Sequence, residues 1–231
     1  MITAWSPSRL NDYETCPAKA NYKYVLRLPE PPAEALDRGS RIHGEAEQFI
    51  IGKEKAVPKD LGRVKRELLR LRKKHAKGLV HVEKALAFDD GWSPVDWFSK
   101  DAWLRCKLDV VEVVSMGAKK LVKSALVTDW KTGRNNPRDA EKHGQQLNLY
   151  ALAVVQSSLA ERVRARLIFT DTGESVDRPE GTVSTKDAIT LREKWEARVA
   201  PMMRDRTFDP TPNFTCRWCA FSKAKGGPCK F

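Results

Sequence analysis

The chain has 231 residues, 41% of them hydrophobic, and 42 lysines and arginines against 30 acids give it a formal charge of +12. No uninterrupted apolar run approaches the ~20 residues that cross a bilayer. Met1–Pro7 lacks a basic segment followed by an apolar stretch, so a cytoplasmic chain without a membrane partner is expected. The positive balance favours a polyanionic partner, nucleic acid first, through counterion release from phosphates; the plainer reading is that it only aids solubility. Five cysteines, three of them in the last sixteen residues, point in such a compartment to a metal site before a disulfide framework.

One domain is expected over 1–231. Leu10, Tyr13, Cys16, Ala20, Tyr24 and Leu28 recur at helical spacing and predict a helix over 7–28, ended by Pro29-Glu30-Pro31-Pro32. A second helix should begin near Asp37, with Ile42, Ala46, Phe49 and Ile50 on one face and His43 on a neighbouring stripe. A third, between Leu61 and Lys77, sets Leu61, Val64, Leu68 and Leu71 inward and is otherwise dense in cations. Among these, Arg70, Lys73 and Lys74 are candidates for phosphate contact, against the alternative of a merely solvated face.

The period then changes to two. Strands are expected from Val80 to Phe88, from Trp103 to Val114 and from Leu121 to Trp130, the last two joined by a hairpin over Ser115–Lys120, and together they form an antiparallel meander. Leu147, Tyr150, Ala151 and Val154 mark a following helix, Val163–Thr170 a strand, and Thr185 to about Met203 a final helix.

Lys107-Leu108-Asp109-Val110-Val111 and Val127-Thr128-Asp129-Trp130-Lys131-Thr132-Gly133 fall on consecutive strands of that meander. Hairpin pairing would bring Asp109 and Asp129 together, and two adjacent carboxylates repel unless a cation lies between them; hard oxygen ligands favour Mg²⁺ or Mn²⁺. Lys131 is two positions beyond Asp129 and projects to the same side of its strand. Ammonium and metal could then share one phosphate, as phosphodiester hydrolysis requires. The alternative is a surface ion pair at a strand end.

With these words in place the chain resembles the RecB-like branch of the PD-(D/E)XK nucleases, which includes CRISPR-associated exonucleases. The likeness spans nearly the whole chain and is tightest at Asp129 to Gly133. It implies an α/β fold, a restriction-endonuclease-like αβββαβ core with a central mixed sheet flanked by helices. Segments 1–36, 37–78, 79–203 and 204–231 would then be the N-terminal helix with its cysteine, the helical segment with the motif histidine, the catalytic core and the cysteine-rich tail. The resemblance implies metal coordination by His43, by Asp109 and Asp129, and by the backbone carbonyl of Trp130. Catalysis falls to Asp109, Asp129 and Lys131, while Gln146 and Tyr150 would reach a phosphate or steady the site. Glu83 is similar to an acid on the first strand of some relatives but is left outside the core site as an exposed strand acid, and Cys106, where relatives commonly have Gly, reads as a core thiol.

Cys216, Cys219 and Cys229 alone could be a zinc knuckle short of a ligand, and Cys16 could supply the fourth thiol. The one-plus-three pattern resembles the [4Fe–4S] staple of the same branch, which joins the N-terminal helix to the C-terminal tail; the nine residues between Cys219 and Cys229 exceed the usual gap and keep Zn²⁺ as the alternative. The function implied is a metal-dependent DNA exonuclease acting on accessible or single-stranded ends in replication, recombination or repair. With no Gly-x₄-Gly-Lys-Ser/Thr loop in the chain, unwinding would fall to a helicase or recombinase partner. The competing readings are a DNA-binding scaffold that kept the fold without catalysis, and a zinc-binding adaptor, which explains the tail but not the strand motifs.

Overall fold

Pro17 shapes the N-terminal segment. A residue before proline is pushed out of the helical region, and Cys16 is extended at φ −166° and ψ 116°. The single helix expected over 7–28 is therefore broken. α1 runs Pro7–Thr15, and α2 runs Pro17–Ala20 and continues as a π-helical turn over Asn21–Val25. The computed structural model describes residues 1–30, 34–117 and 121–231, without the side chains of residues 34–36. Pro31 and Pro32 of the expected helix stop and Ala118–Lys120 of the expected hairpin thus lie outside the described residues.

α3 spans Glu34–Ile50, starting slightly before Asp37, and α4 spans Lys65–His75 after a 3-10 stretch over Lys59–Val64. Gly62, a weak helix former, lies in that tighter stretch. The strands are β1 (Val80–Phe88), β2 (Pro94–Val95), β3 (Leu104–Met116) and β4 (Val122–Lys131). After α5 (Ala140–Gln156) come β5 (Arg162–Phe169), β6 (Ser175–Asp177), β7 (Val183–Ser184) and α6 (Ala188–Arg204).

Among the described residues these strands form one sheet ordered β2-β1-β3-β4-β5-β6, with β7 also against β5. β1, β3 and β4 are the expected antiparallel meander, and β5 returns parallel to β4 because α5 forms the crossover. The sheet is mixed and carries helices on both faces. On one face Val111, Val127, Val163 and Leu167 share a core with Leu147, Ala151 and Val154 of α5 and Trp195 and Val199 of α6. On the other, Val80, Val110, Trp130 and Ile168 meet Ile42, Ala46, Phe49 and Ile50 of α3 and Leu68 and Leu71 of α4. Leu149–Val155 are all buried, so α5 is enclosed on every side rather than along the single stripe its periodicity marks.

One irregularity positions the site. β3 and β4 pair from Val110↔Thr128 outward to Met116↔Val122. On the other side of that point β4 stays with β5 as far as Lys131↔Phe169, and β3 is bridged instead by the N-terminal segment, Trp5 N donating to Trp103 O at 2.7 Å and Arg105 N to Trp5 O at 2.9 Å. The sheet forks between these two partners.

Candidate functional site

Asp109 and Asp129 are the first residues past the last β3–β4 pair, so the fork holds both carboxylates; each is buried, at 8% and 3% exposure. Asp109 Oδ2 accepts from the Trp130 amide N–H at 2.7 Å, which ties the two strands across the opening. Its Oδ1 faces His43 Nδ1 of α3 at 3.1 Å. Lys131 Nζ lies 2.7 Å from Asp129 Oδ2, while Gln146 Nε2 of α5 donates to Asp129 Oδ1 at 3.3 Å and to the Tyr150 hydroxyl at 2.8 Å. Every residue expected at the centre is therefore brought together. Gln146 and buried Tyr150 enter as a chain that orients Asp129.

The fork is electrostatically unsettled. Burial raises the Asp129 carboxyl well above the ordinary carboxylate range; Lys131 lowers it and Asp109 raises it further. Burial lowers His43, but the Asp109 carboxylate outweighs this and the imidazole ends above its ordinary value. Asp129 Oδ2 is buried and meets the Lys131 ammonium at 2.7 Å. One ammonium then serves two buried carboxylates, and the burial of the remaining negative charge is a cost that a further cation would offset.

Glu83 is the residue that sequence reasoning set aside. The β1–β3 ladder pairs Val82 with Val110 and Lys84 with Leu108, leaving Glu83 opposite Asp109. Its backbone is left-handed at φ 50°, a conformation costly for a side-chain-bearing residue outside special sites. Glu83 pairs with Lys107, and among the described residues His43, Glu83 and Asp109 each bring a ligand atom within 4.8 Å of the other two. Imidazole and carboxylate donors suit Mn²⁺ and Mg²⁺, so the residues present fit a divalent ion. Gly133 closes the motif for a conformational reason: at φ 86° it turns the chain after Lys131, and its N–H donates to Asp171 at 3.0 Å.

The remaining candidates lie elsewhere. Cys16, Cys216, Cys219 and Cys229 line one cavity between α1, α2 and the tail, with free thiols. Thr211 N–H donates to Cys16 Sγ and Asn213 N–H to Cys216 Sγ, both at 3.4 Å, and Asn213 Nδ2 donates to Thr15 O at 2.9 Å. Cys106 is a core thiol, 2% exposed, and burial pushes it up to about 12. On α4, Arg70 pairs with Glu67 at 2.7 Å and also with buried Glu112, which Lys74 holds at 2.5 Å. Of the three cations expected to meet phosphate, Arg70 and Lys74 are engaged on carboxylates within the fold, and Lys73 is exposed on the same helix.

Residues 4–224 match the family described as the PD-(D/E)XK nuclease superfamily. No curated protein matches the chain. Among solved structures, the crystal structure of SSO0001 matches at 15% identity and a TM-score of 0.48, over 100% of this chain and 89% of that one. Nucleases of the superfamily use divalent metals, Mg²⁺ or Mn²⁺. The family match takes in every helix and strand from α1 to α6, the forked strands and their carboxylates included, and the chain belongs to the PD-(D/E)XK nuclease superfamily.

Proposed function

We propose that the chain is a metal-dependent deoxyribonuclease of the RecB-like branch, an exonuclease hydrolysing phosphodiester bonds at accessible or single-stranded DNA ends in replication, recombination or repair. The observation that carries this is the fork itself, in which two buried carboxylates, Asp109 and Asp129, converge with His43 and the single ammonium of Lys131. The Asp109 and Asp129 carboxylates, a His43 ring nitrogen and the Trp130 carbonyl would hold Mg²⁺ or Mn²⁺, with Glu83 as a further donor. The ion supplies polarisation of the phosphoryl oxygen, a more acidic attacking water and charge for the departing oxygen. Lys131 adds a fixed ammonium where negative charge grows in the transition state. Gln146 fixes Asp129, and Tyr150 fixes Gln146.

End-labelled single- and double-stranded DNA, incubated with Mg²⁺, Mn²⁺ or chelator, tests the reading. Metal-dependent shortening from an end is expected. Binding with no cleavage under either metal, by folded protein, would leave the non-catalytic scaffold.

For the cysteines we propose a structural [4Fe–4S] cluster, with Zn²⁺ as the alternative. The four thiols share one cavity between the N-terminal helices and the tail, which supports a single group held by all four. Anaerobically purified protein should be brown and contain iron and acid-labile sulfide; colourless, folded protein with stoichiometric zinc would replace the cluster by the single ion.

A further inference from the structure

A cavity of about 730 Å³ opens beside Lys131, where β3 has lost β4 and gained the N-terminal segment. Its walls carry Arg9, Arg105, Lys107, Lys131, Lys142 and Arg198, six cations drawn from separate segments, and no carboxylate among the described residues. Three of the six have an acid behind the wall: Lys107 has Glu83, Lys131 has Asp129 at 2.7 Å, and Arg198 has Glu14 at 2.6 Å. Among the described residues Arg9 and Arg105 donate to carbonyl oxygens, Ala4 O at 2.8 Å and Trp97 O at 2.7 Å, and neither has a carboxylate in ion-pair reach, Arg9 lying over the Tyr24 ring at 5.1 Å. Lys142 is exposed, with no carboxylate in ion-pair reach among the described residues. A wall of this sign collects a polyanion.

Trp97 lines the cavity, and the next residue on its loop, Phe98, is 92% exposed. The loop that carries them is held in place: Arg105 donates from Nε to Trp97 O and from Nη2 to Ser99 O at 3.1 Å, and Ser99 N–H closes a turn on Asp96 O at 2.9 Å. A single exposed Phe is unremarkable in itself. One that follows a cavity-lining Trp on an anchored loop offers a second aromatic face close to a cationic wall. In a duplex the bases present only their edges in the grooves, whereas an unpaired base offers its whole face to an aromatic ring.

We infer that this cavity, on the nuclease reading above, is the path of one unpaired DNA strand to the fork, with Trp97 and Phe98 stacking its bases and Lys142 meeting its phosphates. The loop after β2 thereby sets the preference for single strands. No motif marks it, because its function depends on where Arg105 pins it.

Fluorescence anisotropy in EDTA, where nothing is cut, tests the path with a labelled oligothymidylate and a blunt duplex. Phe98→Ala removes an exposed ring and leaves the fold intact; it should weaken strand binding by at least about 5-fold and leave duplex binding unchanged. Lys142→Ala should flatten the logarithmic salt dependence of strand binding by about 0.7. Unchanged strand affinity in Phe98→Ala, or equal losses on strand and duplex, overturns the proposal. If wild-type protein cuts DNA with Mn²⁺ while Phe98→Ala binds as wild type does, the path is wrong and the nuclease reading stands. If binding follows both variants and wild type never cuts, the path stands and the nuclease reading fails.

Discussion

Two concentrations of positive charge lie on opposite faces of the sheet, and the fold disposes their counter-charges differently. α4 is the denser in sequence, with Lys65, Arg66, Arg70, Arg72, Lys73 and Lys74 inside eleven residues. Yet Arg70 and Lys74 are drawn onto Glu112, which is 3% exposed, and Arg166 joins Arg70 on Glu67. The cavity beside Lys131 gathers its six cations from α1, β3, β4, α5 and α6 and lines itself with no acid. Both groups contain paired cations, Arg70 and Lys74 on α4 and Lys107, Lys131 and Arg198 in the cavity. The difference is one of placement: the α4 pairs close on an acid buried beneath the helix, whereas no acid among the described residues lines the cavity.

The contrast breaks most visibly through Lys131→Ala. Removing one charge aimed at the developing transition state typically costs about 10²–10³ in rate, so cleavage should fall by at least that factor while binding in EDTA holds; wild-type cleavage by the variant would remove Lys131 from catalysis. Arg70→Ala should do the reverse. It strips hydrogen bonds from buried Glu112 and from Glu67, and charged hydrogen bonds contribute roughly 1.5–3 kcal/mol each, so urea unfolding should show a loss of about 2 kcal/mol with strand affinity unchanged. A drop in affinity without a drop in stability would return α4 to the binding surface.

A pH series sharpens the same point. Burial raises the Glu112 carboxyl, but Arg70 and Lys74 outweigh it and hold it below its ordinary value. A group lowered on folding contributes stability that is fully present above its unfolded pKa, roughly 4.3 for Glu, and that is lost as the pH falls through the lower folded value. Wild type should therefore lose more stability between pH 6 and about pH 3 than Glu112→Gln, which lacks the contribution throughout; parallel curves would mean the network adds nothing. The smallest effect is expected from Lys73→Ala, an exposed change worth within about 0.5 kcal/mol in stability and leaving the salt dependence of binding as it was.

Much of the fork was legible because its chemistry is carried by residue type and spacing. Asp109, Asp129 and Lys131 alternate correctly on strands whose period is plain, and His43 follows a helix stripe that packs where its apolar neighbours say. Glu83 was set aside because an acid on a strand is ordinary; what distinguishes it is a left-handed backbone opposite Asp109, which only the paired strands reveal. The break at Cys16 could have been read from Pro17, but apolar residues at helical spacing on both sides of it concealed the corner. β2, β6 and β7 have two or three residues each, too few for alternation to register. The cavity was illegible for a different reason: its lining comes from five elements, and it exists only because β3 changes partners.

The stretch between Cys219 and Cys229 shows how far chain length and distance can part. Its length is taken up by a compact loop: Gly226 N–H returns to Lys223 O at 3.0 Å, Gly227 N–H to Ser222 O at 2.9 Å, and Cys229 N–H to Phe221 O at 3.0 Å. The last cysteine is thereby delivered two residues' reach from Cys219, as though most of the intervening segment had been excised. Gly227 permits the fold-back, since a Cβ there would lie 2.3 Å from the Phe221 carbonyl carbon. Nine residues of sequence between Cys219 and Cys229 thus make a much shorter span in space, and a distance counted along the chain overstates the separation of the two thiols.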